Sequence, residues 1–251
     1  MNRLLRPPVG TPVGSTFFDR DPQQVAASLL GLVLCHRVRD RWLMASLVES
    51  EAYYLEDKAS HASLGFTEKR RALFMPAGTI YMYYARGGDS FNVSVRGAGN
   101  AVLFKAGLPL MTDHLPRIAR AGPRWNWSAE EASAMLRVMA RLNPLPSGSA
   151  RPVQRLCGGQ TLLCKALGLK VRTWDARPLP SAGLTLVDIG YRPARIIRTR
   201  RLGIPAHRDP HFFYRFVDLD RAQSATRLPL SRRAREGTDY EWVIPTTVHG
   251  F

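Results

Sequence analysis

The chain has 251 residues, 45% hydrophobic and 22% charged, enough apolar surface to offset chain entropy, which excludes a disordered or fibrous protein. Its 36 Lys plus Arg against 20 Asp plus Glu give a net charge of +16, which points to a polyanionic partner. Three cysteines, Cys35, Cys157 and Cys164, fit no zinc ligand spacing, so buried thiols in a reducing compartment are expected, with no metal and no cofactor.

No apolar run reaches the length of a membrane span, and the opening MNRLLRPPVGTPVG breaks at Pro7 and Pro8 before a signal-peptide core could form. A monomeric cytoplasmic protein, associated with a bacterial nucleoid and not with a membrane, is therefore expected. Only five of the 36 cations are Lys, which fits a bias toward Arg codons. That bias does not account for the net charge, and residues 192–235 alone carry twelve Arg against three Asp. No amphipathic helix accompanies the charge, so nucleic acid is favoured over a lipid surface.

Residues 1–16 are rich in Pro and Gly and read as a flexible N-terminal arm. A helix starts behind Asp21, a good N-cap, with Pro22 in its first turn and Val25, Ala26, Leu29 and Leu30 as its apolar stripe, and it ends at Gly31. LVLCHRV (32–38) and WLMASLVESEAY (42–53) read as a hairpin turned at Arg39, Asp40 and Arg41. TIYMYYA (79–85) and SFNVSV (90–95) flank Arg86, Gly87, Gly88 and Asp89, where the glycines supply the positive φ of a tight turn. AVLFKAG follows as a third strand.

Ser128 and Glu131 form a capping box for a helix over about 129–141. GPRWNW (122–127) and NPLPSGSARP (143–152) read as surface loops around it. A short helix is expected over 158–169, then strands in LTLVDIG, ARIIRTR and FFYRFV. The result is an α+β single domain: a mainly antiparallel sheet with packed helices and a protruding β-hairpin. Its body spans 17–217 with an insertion at about 111–150, and a tail over 218–251 packs on or extends it.

VESEAY places Glu49, Glu51 and Tyr53 on one face of a strand. A solvated polar edge is the ordinary reading of such a pair. Asp57, His61, Tyr81 and Tyr83 lie close by in sequence, next to the Gly-hinged hairpin. Aromatics, a carboxylate and a His in a very basic chain suit an enzyme that stacks a nucleobase and activates water.

Eight segments then occur in one order: LLGLVL (29–34), VESEAY, the Asp57 and His61 pair, FMPAGTIYMY (74–83), FNVS (91–94), AVLFKA (101–106), LCGGQTLLCKALG (156–168), and RRLGI (200–204) with FFYRF (212–216). In these the chain resembles the alkyladenine, or mammalian-type 3-methyladenine, DNA glycosylase family over most of residues 17–217. The insertion at 111–150 and the tail after about 217 fall outside the resemblance.

The resemblance implies a monofunctional DNA glycosylase of base excision repair that needs neither metal nor cofactor. Its partner would be double-stranded DNA containing damaged purines of the 3-methyladenine, 7-methylguanine, hypoxanthine or etheno-adenine class. Glu51 matches the general base that activates water. Tyr53 and Tyr83 match the aromatics around the flipped base, His61 a residue on the pocket rim, and Asn92 the side chain that disfavours guanine. Lys105 stands where the family usually has Arg, and keeps the charge without the planar fork. Gln160 stands where the family prefers Pro. The hairpin is about one residue shorter and offers Arg86 beside Gly87 where the family presents a bulky aromatic wedge, so Arg86 and Gly87 become candidate DNA contacts. Arg198 and Arg201 are expected to lie along the phosphate backbone. The competing reading is a non-catalytic protein that binds damaged DNA or RNA on the same fold. Glu51 favours the enzyme, because a carboxylate facing a polyanion only weakens binding.

Overall fold

A computed structural model describes residues 7–85, 87–114, 127–227 and 230–243. Arg86, most of the expected loop at 122–127, the first six residues and the last eight lie outside the described residues.

The strands are β1 (Thr11–Pro12), β2 (Val33–Val38), β3 (Arg41–Tyr53), β4 (Ile80–Ala85), β5 (Gly88–Ser94), β6 (Ala101–Pro109), β7 (Leu184–Asp188), β8 (Ile196–Thr199), β9 (Arg215–Asp218) and β10 (Tyr240–Val243). They form one antiparallel sheet, ordered β1–β7–β2–β3–β6–β5–β4, with β9 also on β3, β8 on β9 and β10 on β8. The long β3 organises it. One edge pairs first with β2 and then with β9, while the other runs along β6.

Helix α1 (Pro22–Leu29) begins as its sequence indicates, with the Asp21 carboxylate accepting from the Gln23 and Gln24 amides. Those two bonds satisfy orphan donors of the first turn. Its buried face, Val25, Ala26 and Leu29, joins the core against β3. Helix α2 (Ala129–Leu142) has the full Ser128–Glu131 capping box and buries Ala132, Met135 and Met139. Helix α3 (Gln160–Leu167) packs on β5 and β6, ends on Gly168 in the left-handed region, and is followed by the single turn α4 (Val171–Trp174). Each fully buried Leu, Met or Phe in this core contributes about 1.5–3 kcal/mol.

The α+β, mainly antiparallel expectation holds. Two expectations change in detail. Residues 7–16 are not a loose arm: Thr11 and Pro12 pair with Asp188 and Val187, and Val9 and Val13 are buried. Apolar side chains between the prolines supply the burial that the Pro/Gly content concealed. The first hairpin turns on two residues, since Val38 pairs with Arg41, and Arg39 takes φ +56°. Part of the tail extends the sheet, because β10 pairs with β8. Among the described residues no helix is long and apolar enough to cross a membrane.

Candidate active site

The site grows from an irregularity in β3 and β6. Leu47 pairs with Gly107, Glu49 with Ala106 and Ser50 with Phe104, so Val48 on one strand and Lys105 on the other fall between pairs. Bulges of this kind bend a strand and re-aim its side chains. Ser50 turns to α1, donating to the Ala26 carbonyl at 2.7 Å, which leaves Glu49 and Glu51 on the opposite face, as the alternation predicts.

The two carboxylates then diverge in chemistry. Glu49 is consumed: one oxygen accepts from Arg215 Nε at 2.6 Å and the other from the Thr226 amide at 2.6 Å. Glu51 is 1% exposed. Its Oε2 accepts from the Tyr53 hydroxyl at 2.6 Å. Its Oε1 lies 3.2 Å from Lys105 Nζ, close enough for an ion pair but out of line for a hydrogen bond. A buried carboxylate oxygen that meets a charge but no aligned donor is costly unless a further partner completes it.

Tyr53 touches this carboxylate, and a second group, His61 with Tyr81 and Tyr83, packs together beside it. Burial first, and then the adjacent Glu51 carboxylate, push the Tyr53 hydroxyl well above its ordinary pKa, so Tyr53 serves Glu51 as a donor. The guanidinium of Arg201 lies 4.6 Å from the Tyr53 ring centre. Tyr83 on β4 is half-buried, with its ring 4.4 Å from the His61 ring and 5.6 Å from that of Tyr81. His61 enters on a short 3₁₀ turn capped by Ser60, and its Nδ1 lies 2.9 Å from the Tyr81 hydroxyl. Burial, with Arg70 and Arg208 adding to it, holds the imidazole below its ordinary pKa, so it is neutral at pH 7. Asn92 on β5 is buried, and its amide nitrogen donates to the Tyr81 carbonyl at 3.2 Å. Glu51, Tyr53 and Lys105 thus form one contact set, and His61, Tyr81, Tyr83 and Asn92 another beside it.

The candidate DNA contacts separate. Gly87 is exposed at the hairpin turn with φ +76°, a conformation that suits Gly. Arg198 is partly exposed on β8, bonded to Glu241 at 2.6 Å and to Gln23 at 3.3 Å. Arg201 is different: it is 5% exposed, forks onto both oxygens of Asp57, and donates to the Ala52 carbonyl at 3.1 Å. A surface phosphate contact expected of it has no exposed guanidinium to make it. Arg215 and Arg221 in the same Arg-rich stretch are also buried. The charge count overstated the outward-facing cations, because long-range partners such as Asp57 and Glu49 are invisible in sequence.

Sequence reasoning gave Ser90 no role and noted Gln160 only as a departure. Gln160 Oε1 accepts from Lys105 Nζ at 3.1 Å, and Gln160 Nε2 donates to Ser90 Oγ at 2.8 Å. Among the described residues no group of three or more His, Cys, Asp or Glu is placed to hold a metal ion.

A buried carboxylate beside a cluster of aromatic rings, on a strongly basic α+β chain, fits the class of repair hydrolases that act on a base of nucleic acid. The profile of the methylpurine-DNA glycosylase family matches residues 16–222, and the chain belongs to that family. It is a monofunctional DNA glycosylase, a hydrolase of DNA repair. The chain is 53% identical over 224 residues to a protein of Pseudomonas savastanoi pv. phaseolicola, covering 89% of this chain and 93% of the relative. It is 52% identical over 235 residues to one of Pseudomonas fluorescens, covering 94% of each. Both relatives are provisionally named 3-methyladenine DNA glycosylases. A mouse DNA-3-methyladenine glycosylase is 31% identical over 200 residues, 76% of this chain and 54% of the mouse protein. The segment at 111–150, expected outside the resemblance, falls inside the matched range.

Proposed function

We propose that Glu51 is the general base of a reaction in which water attacks C1′ of a damaged purine nucleotide in duplex DNA and the free base departs. The observation that carries this reading is the state of Glu51. Its Oε2 is fixed by Tyr53, its Oε1 faces the Lys105 charge without an aligned donor, and protein surrounds both. Such an oxygen can accept a hydrogen bond from a water molecule, orient it, and take its proton as the C1′–O bond forms. The electron pair of the C1′–N bond leaves with the purine. Lys105 balances the carboxylate beforehand and holds it close to the developing positive sugar.

The purines in view are the 3-methyladenine, 7-methylguanine, hypoxanthine and etheno-adenine class. Alkylated members are already cationic and leave readily, so a carboxylate is catalyst enough. To reach Glu51 the nucleotide turns out of the stack, which costs a few kcal/mol. Stacking on Tyr53 and Tyr83, at about 1–3 kcal/mol per base, offsets much of that cost. Neutral His61 lines the rim as a hydrogen-bond partner, and Asn92 crowds an exocyclic amine at the guanine position. Arg86 and Gly87 at the hairpin turn, with Arg198, would contact the DNA itself.

The test is release of free base from alkylated duplex DNA, read as alkali-labile abasic sites. Release by the wild type supports the reading. Tight binding of lesion DNA with no release would replace it with a non-catalytic damage-binding protein.

A further inference from the structure

Lys105 is 7% exposed, yet its ion pair with Glu51 lacks hydrogen-bond alignment and therefore does not fix where the ammonium points. A Lys head is a compact charge on a flexible four-carbon stem, and its direction must come from elsewhere. The directional bond it makes is to Gln160 Oε1, at 3.1 Å. Lys offers donors only, so the Gln160 amide must present its oxygen to Lys105 and its nitrogen to Ser90 Oγ, at 2.8 Å. The Ser90 hydroxyl, accepting from Gln160, keeps its own proton for another acceptor. Ser90 stands opposite Tyr83 in the β4–β5 ladder, and burial, the largest influence, raises the Tyr83 hydroxyl while the neighbouring Ser90 and Gln160 side chains oppose that rise.

Gln160 is held on a fixed element. It opens α3 directly after Gly159, whose φ is +153°. The start of α3 abuts the hairpin next to its turn so closely that a Cβ on Gly88 would lie 2.8 Å from Thr161 Cβ. A side chain at Gly88 would push the helix start, and Gln160 with it, away from Lys105.

We propose that Gln160 is a positioning residue: it aims the Lys105 ammonium at Glu51 and, through Ser90, ties that aim to Tyr83 in the base-stacking slot. The role in catalysis rests on the reading of Glu51 as general base; the contact itself does not. A Lys105 freed of Gln160 would swing on its stem and leave Glu51 and its water without a fixed neighbour.

The experiment uses the full chain and duplex DNA methylated on its purines, with enzyme in excess. Gln160→Ala removes a hydrogen bond to a charged donor, so the maximal single-turnover rate falls about tenfold or more, while the half-saturating enzyme concentration stays within about twofold. Gln160→Glu keeps the size of the side chain but supplies a second carboxylate that competes for Lys105, and its rate falls at least as far. A packing role would leave Gln160→Glu near wild type. In a Lys105→Arg background the planar fork can reach Glu51 without the amide, so adding Gln160→Ala costs less than about threefold. The contact is tested without catalysis by a double-mutant cycle in Tm between Gln160→Ala and Lys105→Met, where non-additivity is expected. Wild-type rates in both Gln160 variants, or additive Tm changes, overturn the proposal. Intact Tm coupling in a wild type that releases no base would instead overturn the Glu51 reading.

Discussion

Replacing Arg201 by Met should unfold the protein well below the wild-type temperature instead of merely weakening DNA binding. The Arg201 and Asp57 side chains are 1% and 2% exposed, so solvent and salt screen their attraction little. The fork engages both Asp57 oxygens and the Ala52 carbonyl, and it lies over the Tyr53 and Tyr214 rings. Removing one partner of such a pair strands a buried charge, at a cost of about 3–5 kcal/mol. At roughly 2–4 °C per kcal/mol for a chain of this size, Tm falls by about 6–20 °C. Arg201→Met with Asp57→Leu removes both charges and should regain much of the loss. Arg96→Ala is the internal comparison: its pair with Asp19 has side chains 63% and 64% exposed, where such a pair is worth about 0–1 kcal/mol. Thermal melts at two salt concentrations read all of these. An Arg201→Met protein that melts like wild type but loses affinity for undamaged duplex would refute the buried role and restore the phosphate contact.

Affinity for undamaged duplex should fall steeply with salt, and Arg198→Ala should lower it for lesion and normal DNA alike; salt-independent binding would contradict a phosphate footprint. Arg86→Ala should slow release of 7-methylguanine opposite cytosine far more than release of mispaired lesions, since a gap-filling side chain matters most where extrusion costs most. Equal losses on both would move the wedge to Tyr84, which is 70% exposed on the same hairpin. His61 has a depressed pKa in the fold, from burial first and then Arg70 and Arg208, so the unfolded chain binds the extra proton. Its contribution to stability is complete above the unfolded pKa of about 6.5 and is lost as pH falls below it. The Tm advantage of wild type over His61→Gln should therefore shrink between pH 7.5 and 5.5, and an advantage that grows would reverse the sign.

What was legible in the sequence and what was not divide along the range of the interactions. Asp21 and Pro22 at α1, and Ser128 with Glu131 at α2, are local signals, and the structure shows both helices starting there. Period-2 alternation placed Glu49, Glu51 and Tyr53 on one face, but it could not distinguish the two carboxylates. That difference comes from Arg215 and Thr226, more than 160 positions away, which satisfy Glu49 and leave Glu51 to Tyr53 and Lys105. Likewise the bulge that re-aims Lys105 is a matter of register between two strands, and neither strand announces it alone. Arg201 looked like surface charge because its partner, Asp57, lies 144 positions earlier.

The most direct test of the central claim is the single-turnover release of purine by Glu51→Gln from methylated duplex DNA, with binding to the same DNA measured in parallel. The amide is isosteric and cannot take a proton, so release should fall by about two to four orders of magnitude, the range of general-base catalysis. Affinity should stay equal or rise, because a negative charge facing phosphates has been removed. Release within a few-fold of wild type, with DNA binding intact, would take Glu51 out of the mechanism.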